Sequence, residues 1–183
     1  FYISVSLLPC ISKVLERQVY NDLYNFCATN KILSEKNSGF KKNDGTINRL
    51  IDLTNKIYQG LDDEEEVALV FLDISKAFDK IWHKGLLFKL HKIGVRGNLL
   101  KWFESYLTGR SQRVVYSGSS SEFMNILASV PQGSILAPLL FLIYLNDIEL
   151  DIKSDISLFA DDITLMKAFK IDHEVEQIIN TDF

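Results

Sequence analysis

Two short apolar segments that meet at a pair of aspartates constrain the fold of this chain more than any other feature. Residues 156–160 and 163–166 are mostly apolar, and Asp161 and Asp162 lie between them. This pattern predicts a β-hairpin whose tight turn holds both carboxylates. No lysine or arginine lies within four positions of Asp161 to neutralise the pair. Aspartates at a hairpin tip are more often ordinary turn residues than functional ones, so the pair alone decides nothing.

A third aspartate follows another apolar segment. Residues 67–72 form an unbroken apolar run that ends at Asp73, and the run predicts a strand buried on both faces. Carboxylates brought together from neighbouring strands repel each other, and a divalent cation removes that conflict. Hard oxygen ligands with space for phosphates are what Mg²⁺ prefers. The three aspartates are therefore compatible with a Mg²⁺ site, or a Mn²⁺ site, suited to two-metal displacement chemistry, but ordinary turn residues stay the more frequent explanation of the pair.

Apolar residues at steps of three or four predict helices in the first third of the chain. One helix covers residues 11–26, and a second begins at Thr46 and ends near Gly60. Residues 112–117 and 123–128 predict a further hairpin. The apolar positions that define the two helices are Ile11, Leu15, Val19, Leu23 and Phe26, then Ile47, Leu50, Ile51 and Ile57.

Composition narrows the class of protein. With 47% hydrophobic residues among 183, the chain is globular, and its net charge of −4 argues against a freestanding nucleic-acid binder. Cys10 and Cys27 predict free packing thiols in a reducing compartment. The run at residues 135–145 is shorter than the roughly 20 residues of a membrane span and predicts a buried helix. We therefore expect an intracellular protein, nuclear or cytoplasmic, without a membrane partner. The acidic run at residues 62–66 predicts a solvated loop.

Several stretches resemble the motifs of non-LTR (LINE-type, jockey-like) retrotransposon reverse transcriptases, and they run along the chain in the family's order. Residues 71–83 are similar to the first catalytic motif and residues 130–141 to the second. Residues 159–162 match the third, the [Phe/Tyr]-Ala-Asp-Asp box. Residues 6–16 resemble the preceding fingers segment, and residues 144–148 also fit. The stretches cover nearly the whole chain, so their joint specificity is high.

The resemblance implies a fold class and a domain organisation. It implies an α+β reverse transcriptase palm, with an antiparallel catalytic sheet packed on helices, incomplete fingers and no thumb. Partial fingers would occupy about residues 1–65, and a palm core with a finger-side insertion would occupy about residues 66–183. The chain would then be a single reverse transcriptase domain fragment, truncated at both ends, that elongates poorly in isolation.

The resemblance also implies roles for the aspartates and their neighbours. Asp73 and Asp161 would bind both metal ions, Asp162 would complete the triad, and the Ile74 carbonyl would be a further oxygen ligand. Phe78 would lie under the incoming sugar and exclude a 2′-hydroxyl, unless it is simply a packing residue.

Two further pairs of residues would contact the substrates. Gln132 and Gly133 would line the nucleotide and template pocket, although their turn could equally be ordinary. Lys41 and Lys42 would neutralise the template or triphosphate, or else belong to a solvated loop. The family has an arginine where this chain has Ile3, which weakens the expected nucleotide affinity.

These observations lead to a prediction and an alternative. The prediction is an RNA-directed DNA polymerase core of a mobile element that transfers a nucleotide from a dNTP to a primer 3′-hydroxyl. Its partners would be an RNA template and a DNA primer, with the oligomeric state left open. The alternative is an inactive retrotransposon remnant that keeps the palm fold and at most binds RNA or protein.

Overall fold

The computed structural model describes residues 8–42, 44–150 and 152–170. The chain divides into two compact units. The helical unit takes the residues up to 32 together with residues 76–144, and the sheet unit takes residues 33–75 together with those from 145 onward. The predicted division into fingers and palm near residue 65 stays a prediction.

The described residues of the helical unit form four helices, a short 3₁₀ turn and a small two-part hairpin. The helices bury apolar residues such as Leu90, Phe103 and Phe141. The predicted hairpin is present as two ladders in series, but Ser119 and Ser120, predicted to lie in its connection, form a strand. The elements of the helical unit are α1 (Cys10–Thr29), the 3₁₀ turn (Ala77–Lys80), α3 (His83–Lys92), α4 (Gly97–Leu107), β2 (Ser111–Gln112), β3 (Val115–Tyr116), β4 (Ser119–Ser120), β5 (Met124–Asn125) and most of α5 (Ala137–Leu145).

The first helix is confirmed, but of its five apolar positions only Leu23 is buried. Ile11 is 85% exposed, whereas the buried residues of α1 are Glu16, Leu23 and Cys27. Apolar spacing indicates a helix correctly, yet the face that packs depends on partners far away in sequence. Cys27 is a packing residue as predicted, and burial raises the pKa of its thiol to about 11. Cys10 is exposed instead.

The sheet unit is built on three antiparallel strands. These are β1 (Glu66–Asp73), β6 (Asp155–Phe159) and β7 (Asp162–Phe169), in the order β1-β7-β6. The predicted antiparallel sheet and its hairpin are therefore confirmed. Alternate residues of β6 and β7 form the core of this unit: Ile156, Leu158, Ile163 and Leu165.

The prediction that residues 67–72 are buried on both faces is wrong. β1 lies at an edge of the three-stranded sheet, and Phe71 is 69% exposed. Leu72 packs against the core of the sheet unit, whereas the opposite face is covered at Val67 by helix α2 (Thr46–Asp62) and open at Phe71. An unbroken apolar run does not distinguish a central strand from an edge strand whose outer face is also apolar.

Helix α2 begins where it was predicted and continues past Gly60. A Cβ at Gly60 would lie 2.6 Å from Cγ2 of Val67, so this glycine permits close packing between α2 and β1 rather than ending the helix. Ile47 and Leu50 are exposed, so apolar spacing again indicates a helix without showing which face packs. Residues 62–64 are exposed, as expected for a solvated acidic segment.

Helix α5 confirms the prediction of a buried apolar helix. Six of its nine residues are buried, from Ala137 through Ile143. Among the residues that the structure describes, no helix combines the length and the apolar character needed to cross a membrane.

Candidate active site

The sheet register brings the three aspartates together at one end of the sheet. Asp73, the last residue of β1, lies directly opposite Asp162, the first residue of β7. Phe159 also pairs with Asp162, so the hairpin turn consists of Ala160 and Asp161. The predicted turn of Asp161 and Asp162 was therefore displaced by one residue. The displacement matters, because it moves Asp162 out of the turn and into the ladder beside Asp73.

Backbone hydrogen bonding extends the contact between the two segments. The Ile74 N–H donates to the carbonyl oxygen of Asp161 at 3.3 Å. Residues directly opposite in an antiparallel pair project from the same face of a sheet, so Asp73 and Asp162 share a face. Both are exposed, and Asp161 is half-buried. Within the described ranges, the ion pairs join other residues, which are Lys36, Arg49, Asp52, Lys56, Glu149 and Asp155.

The turn between β6 and β7 is held in a costly conformation. Ala160 has a φ of +57°, a left-handed value that costs a non-glycine residue about 1 kcal/mol or more. Residues in such conformations persist when their surroundings over-determine them. Here the surroundings are the segment formed by residues 36–39, which we call the bracing segment.

The bracing segment pairs with the free edge of β6. The Ser38 N–H donates to the Leu158 carbonyl at 3.0 Å, and the Leu158 N–H donates to the Lys36 carbonyl at 2.9 Å. Gly39 then lies directly against the turn, since a Cβ at Gly39 would be 2.1 Å from the backbone nitrogen of Ala160. The backbone of Asp161 is therefore fixed from one side by the ladder and from the other by Gly39.

Arg49 of α2 anchors the bracing segment. Its Nε donates to Ser38 Oγ at 2.6 Å, and its guanidinium also donates to the Glu35 carbonyl. The Asn37 side chain accepts a hydrogen bond from the Gly39 N–H at 2.9 Å. Asn37 and Ser38 are both buried. These contacts explain why an irregular segment can support a turn rigidly.

The two lysines predicted to contact substrate lie next to the bracing segment. The Lys41 ammonium donates to the Ser34 carbonyl, and burial lowers the pKa of Lys41 despite the nearby Asp44 carboxylate. Lys42 is exposed. Lys41 therefore takes part in the loop itself in this conformation, and a role in binding phosphate stays a prediction for both lysines.

A cleft of about 260 Å³ lies beside Asp162 in the sheet unit. Its floor is the open sheet face, including Phe71, Phe159 and Thr164, and α2 forms its wall with Arg49 and Leu50. Asp162 and Arg49 are the charged residues that line the cleft, beside uncharged residues such as Phe71 and Ser157. The cleft therefore extends the aspartate site along the sheet.

The remaining predicted site residues lie in the helical unit. Phe78, in the 3₁₀ turn, stacks on Phe141 with ring centroids 4.9 Å apart. Gln132 and Gly133 are the central residues of a turn that is closed by the Ser134 N–H donating to the Pro131 carbonyl at 3.0 Å. Gly133 has a φ of +104°, which glycine adopts readily. The predicted turn is thus confirmed, whereas the substrate-binding roles of these three residues are not tested.

Ser129, just before that turn, carries backbone strain. Its φ of +112° lies in a region that favours glycine. The Ser129 N–H donates to the Ile81 carbonyl at 2.9 Å, and its own carbonyl accepts from His83 Nε2 at 2.7 Å. Because both peptide groups are bonded, Ser129 cannot relax without breaking contacts.

Replacing Ser129 with glycine should therefore stabilise the protein by about 1 kcal/mol, because the relieved strain exceeds the added freedom of the unfolded chain. The change is measured by urea unfolding. Ser119→Gly, in the exposed strand β4, is the control and should destabilise by about 0.5–1 kcal/mol. Equal destabilisation by both variants would contradict the strain at Ser129.

Comparison with known proteins identifies the family. The family described as Reverse transcriptase (RNA-dependent DNA polymerase) matches residues 2–181. This chain belongs to the reverse transcriptase family. The predicted resemblance to jockey-like enzymes is confirmed by relatives that are each 34% identical to it. They are "Probable RNA-directed DNA polymerase from transposon X-element" of Drosophila melanogaster, over 94% of this chain and 20% of the relative, and "RNA-directed DNA polymerase from mobile element jockey" of the same species, over 80% and 16%.

A solved structure supports the reverse transcriptase fold. It is "Structure of apo telomerase from Candida Tropicalis truncated from C-terminal domain", with a TM-score of 0.58 and 13% sequence identity. The match covers 92% of this chain and 36% of that one. This chain spans about a fifth of the length of the curated relatives it matches.

Two buried or closely packed residues of this reverse transcriptase chain, Glu16 and Gly39, carry no local signal of their role in the sequence. The contact of Gly39 with Ala160 joins residues that are far apart in sequence, so no local pattern predicts it. Glu16 was placed on a helix without a role, although it is buried. Its position in the segment that resembles the fingers was the only available signal. Ile3, predicted to weaken nucleotide binding, lies outside the described residues.

Proposed function

We propose that this chain is the catalytic core of an RNA-directed DNA polymerase of a mobile element. It would transfer a nucleotide from a dNTP to the 3′-hydroxyl of a DNA primer paired to an RNA template. The observation that carries the proposal is the position of Asp73 directly opposite Asp162, with Asp161 in the adjoining turn, in a chain that matches the reverse transcriptase family over residues 2–181.

The donors at this site suit a divalent metal ion. The three aspartates supply carboxylate oxygens, and none of them joins an ion pair within the described ranges. Within those ranges, no three acidic, histidine or cysteine side chains lie close enough together to hold a metal ion by themselves. Mg²⁺ is usually held by one or two carboxylates together with substrate phosphates. An opposed pair such as Asp73 and Asp162 is therefore a sufficient contribution from the protein.

We assign the metal-binding role to Asp73, Asp161 and Asp162, with the Ile74 carbonyl as a further oxygen ligand. Bound Mg²⁺, or Mn²⁺, would neutralise the triphosphate and make the primer hydroxyl more acidic. The protein's own part is to hold the carboxylates at fixed positions before substrate arrives. The paired strands and the bracing segment support this role, because they leave the turn little freedom to move.

The other site residues would position the nucleic acid and the nucleotide. Phe78 would lie against the sugar and select a deoxyribonucleotide, and its stacking on Phe141 would limit movement of the ring. Gln132 and Gly133 would line the nucleotide pocket. Lys41 and Lys42 would neutralise phosphate charge, Lys41 after exchanging its contact with Ser34.

A second candidate is an inactive remnant that keeps this fold and at most binds RNA or protein. The observation that favours it is the lack, among the described residues, of a three-carboxylate group arranged around an ion. This candidate differs from the first in one respect that can be measured. An inactive remnant need not respond to a divalent metal ion, whereas the polymerase should respond through its three aspartates.

Primer extension by the complete protein that contains this chain tests the proposal. An RNA template and a DNA template of the same sequence are compared with and without Mg²⁺. We expect dNTP incorporation on the RNA template that stops when the metal is chelated. If a folded protein incorporated dNTP on neither the RNA nor the DNA template, the inactive remnant would be favoured.

A further inference from the structure

Glu16 is a buried carboxylate to which the proposed reaction assigns no role. It lies on α1 and is only 3% exposed. Burying a charge is costly unless the charge is hydrogen-bonded. Its Oε2 accepts hydrogen bonds from Ser134 Oγ at 2.6 Å and from the Ile135 N–H at 2.9 Å. Both donors follow directly after the turn that contains Gln132 and Gly133.

Ser134 is the centre of this cluster, and its hydroxyl uses its full bonding capacity. A hydroxyl can donate one hydrogen bond and accept two. Ser134 donates to Glu16, and it accepts from the Tyr106 hydroxyl at 2.5 Å and from the Leu136 N–H at 3.0 Å. The side chain therefore has one permitted orientation, which also orients the backbone that precedes it.

Tyr106 closes the cluster from α4. Burial, together with the nearby Glu16 carboxylate, raises the pKa of Tyr106 to about 12, so its hydroxyl stays protonated and donates to Ser134. Its ring stacks on Trp102 with centroids 5.4 Å apart. Three segments that are distant in sequence thus meet at one serine within the helical unit.

The position of the Glu16 carboxylate also stabilises the N-terminus of α5. The Ile135 and Leu136 N–H groups precede Ala137, where α5 begins, and negative charge is stabilised near a helix N-terminus. The carboxylate therefore fixes both the end of the turn and the beginning of the helix. Gln132 and Gly133 have few alternative positions between Pro131 and this anchored end.

We propose that Glu16 is a positioning residue that holds the 131–134 turn through Ser134, and that this contact sets the affinity of the enzyme for the incoming nucleotide. The inference rests on the proposed function, since it takes Gln132 and Gly133 to line the nucleotide pocket. Glu16 does not touch the reacting groups. Its effect on the reaction is carried by the turn that it anchors.

Three variants of the complete protein test this inference. Glu16→Ala removes the acceptor, Ser134→Ala removes the central hydroxyl, and Tyr106→Phe removes one donor while keeping the ring. Controls on exposed positions are Glu104→Ala, Ser120→Ala and Tyr116→Phe. Tyr106→Phe should fold in any case, because the ring and its stacking on Trp102 remain.

Two measurements are made on each variant. Hydrogen exchange of the peptide that covers residues 130–136 reports the freedom of the turn, and single-nucleotide incorporation gives KM for the dNTP. Glu16→Ala and Ser134→Ala should accelerate exchange and raise KM for the dNTP by about tenfold or more, because small misplacements of positioning groups have large effects. Tyr106→Phe should change both values in the same direction but less.

The two readouts separate failure of the inference from failure of the proposed function. Exchange that matches the controls in all three variants would overturn the inference, whether or not the enzyme is active. Faster exchange with an unchanged KM for the dNTP in an active enzyme would also overturn it. An inactive wild-type protein would refute the proposed function instead, and the exchange result would then decide whether Glu16 holds the turn.

Discussion

Replacing Gly39 with alanine should lower the rate of nucleotide incorporation by at least about 100-fold. A Cβ at this position would lie 2.1 Å from the nitrogen and 2.7 Å from the Cα of Ala160. Both are backbone atoms, so no side-chain rotation can relieve the overlap. The bracing segment or the turn must move, and Ala160 immediately precedes Asp161. Overpacking of this kind also destabilises a fold by about 1–3 kcal/mol.

Gly45 provides the matched control for this experiment. It lies six positions later in the same connection, and a Cβ there would have nothing within 4 Å. Its φ of −166° is ordinary extended backbone, so alanine fits without strain. Single-turnover incorporation and thermal unfolding are measured for both variants. If Gly39→Ala retained the activity of Gly45→Ala, the bracing segment would have no part in holding the turn.

Substituting asparagine for any one of Asp73, Asp161 and Asp162 should lower incorporation by about 1000-fold or more. Loss of a metal-binding carboxylate removes several kcal/mol of charge stabilisation, and each 1.36 kcal/mol corresponds to a factor of ten in rate. Asparagine keeps the size of the side chain but is a weaker, neutral ligand. The loss should appear in the rate of incorporation at saturating dNTP.

The same substitutions at Asp73 or Asp162, which lie opposite each other, should lower activity but raise thermal stability in the absence of metal. Like charges directly across an antiparallel ladder are destabilising by about 0.2–1 kcal/mol, so Asp73→Asn or Asp162→Asn should unfold at a slightly higher temperature when metal is chelated. Asp63→Asn, in the exposed acidic segment, is the control for both measurements. A large loss of stability together with activity would indicate a structural role for these aspartates.

The local elements of the fold could be predicted because their signals are local. The apolar segments around Asp161 determine a hairpin, and the run ending at Asp73 determines a strand. Helices α1 and α2 follow from apolar spacing at steps of three and four. The order of the catalytic motifs along the chain also identified the family that the comparisons confirm.

The contacts that complete the site could not be predicted, because they join residues far apart in sequence. Glu16 binds Ser134, 118 positions away, and no periodicity in α1 marks Glu16 as buried. Gly39 meets Ala160 through a single edge pairing with β6. The exact register of the β6–β7 hairpin could not be predicted either, since shifting the turn by one residue leaves the apolar pattern almost unchanged. That shift decides which aspartate faces Asp73.

Under the proposed function, Asp73, Asp161 and Asp162 form a metal site that is completed by a nucleoside triphosphate. Mn²⁺ binding, followed by the electron paramagnetic resonance of the free ion with and without a dNTP, tests it most directly. We predict that the dNTP strengthens Mn²⁺ binding by the unmodified protein and by Asp63→Asn, and that Asp73→Asn and Asp161→Asn lose this gain. Equal Mn²⁺ binding by Asp161→Asn and the unmodified protein would contradict the account.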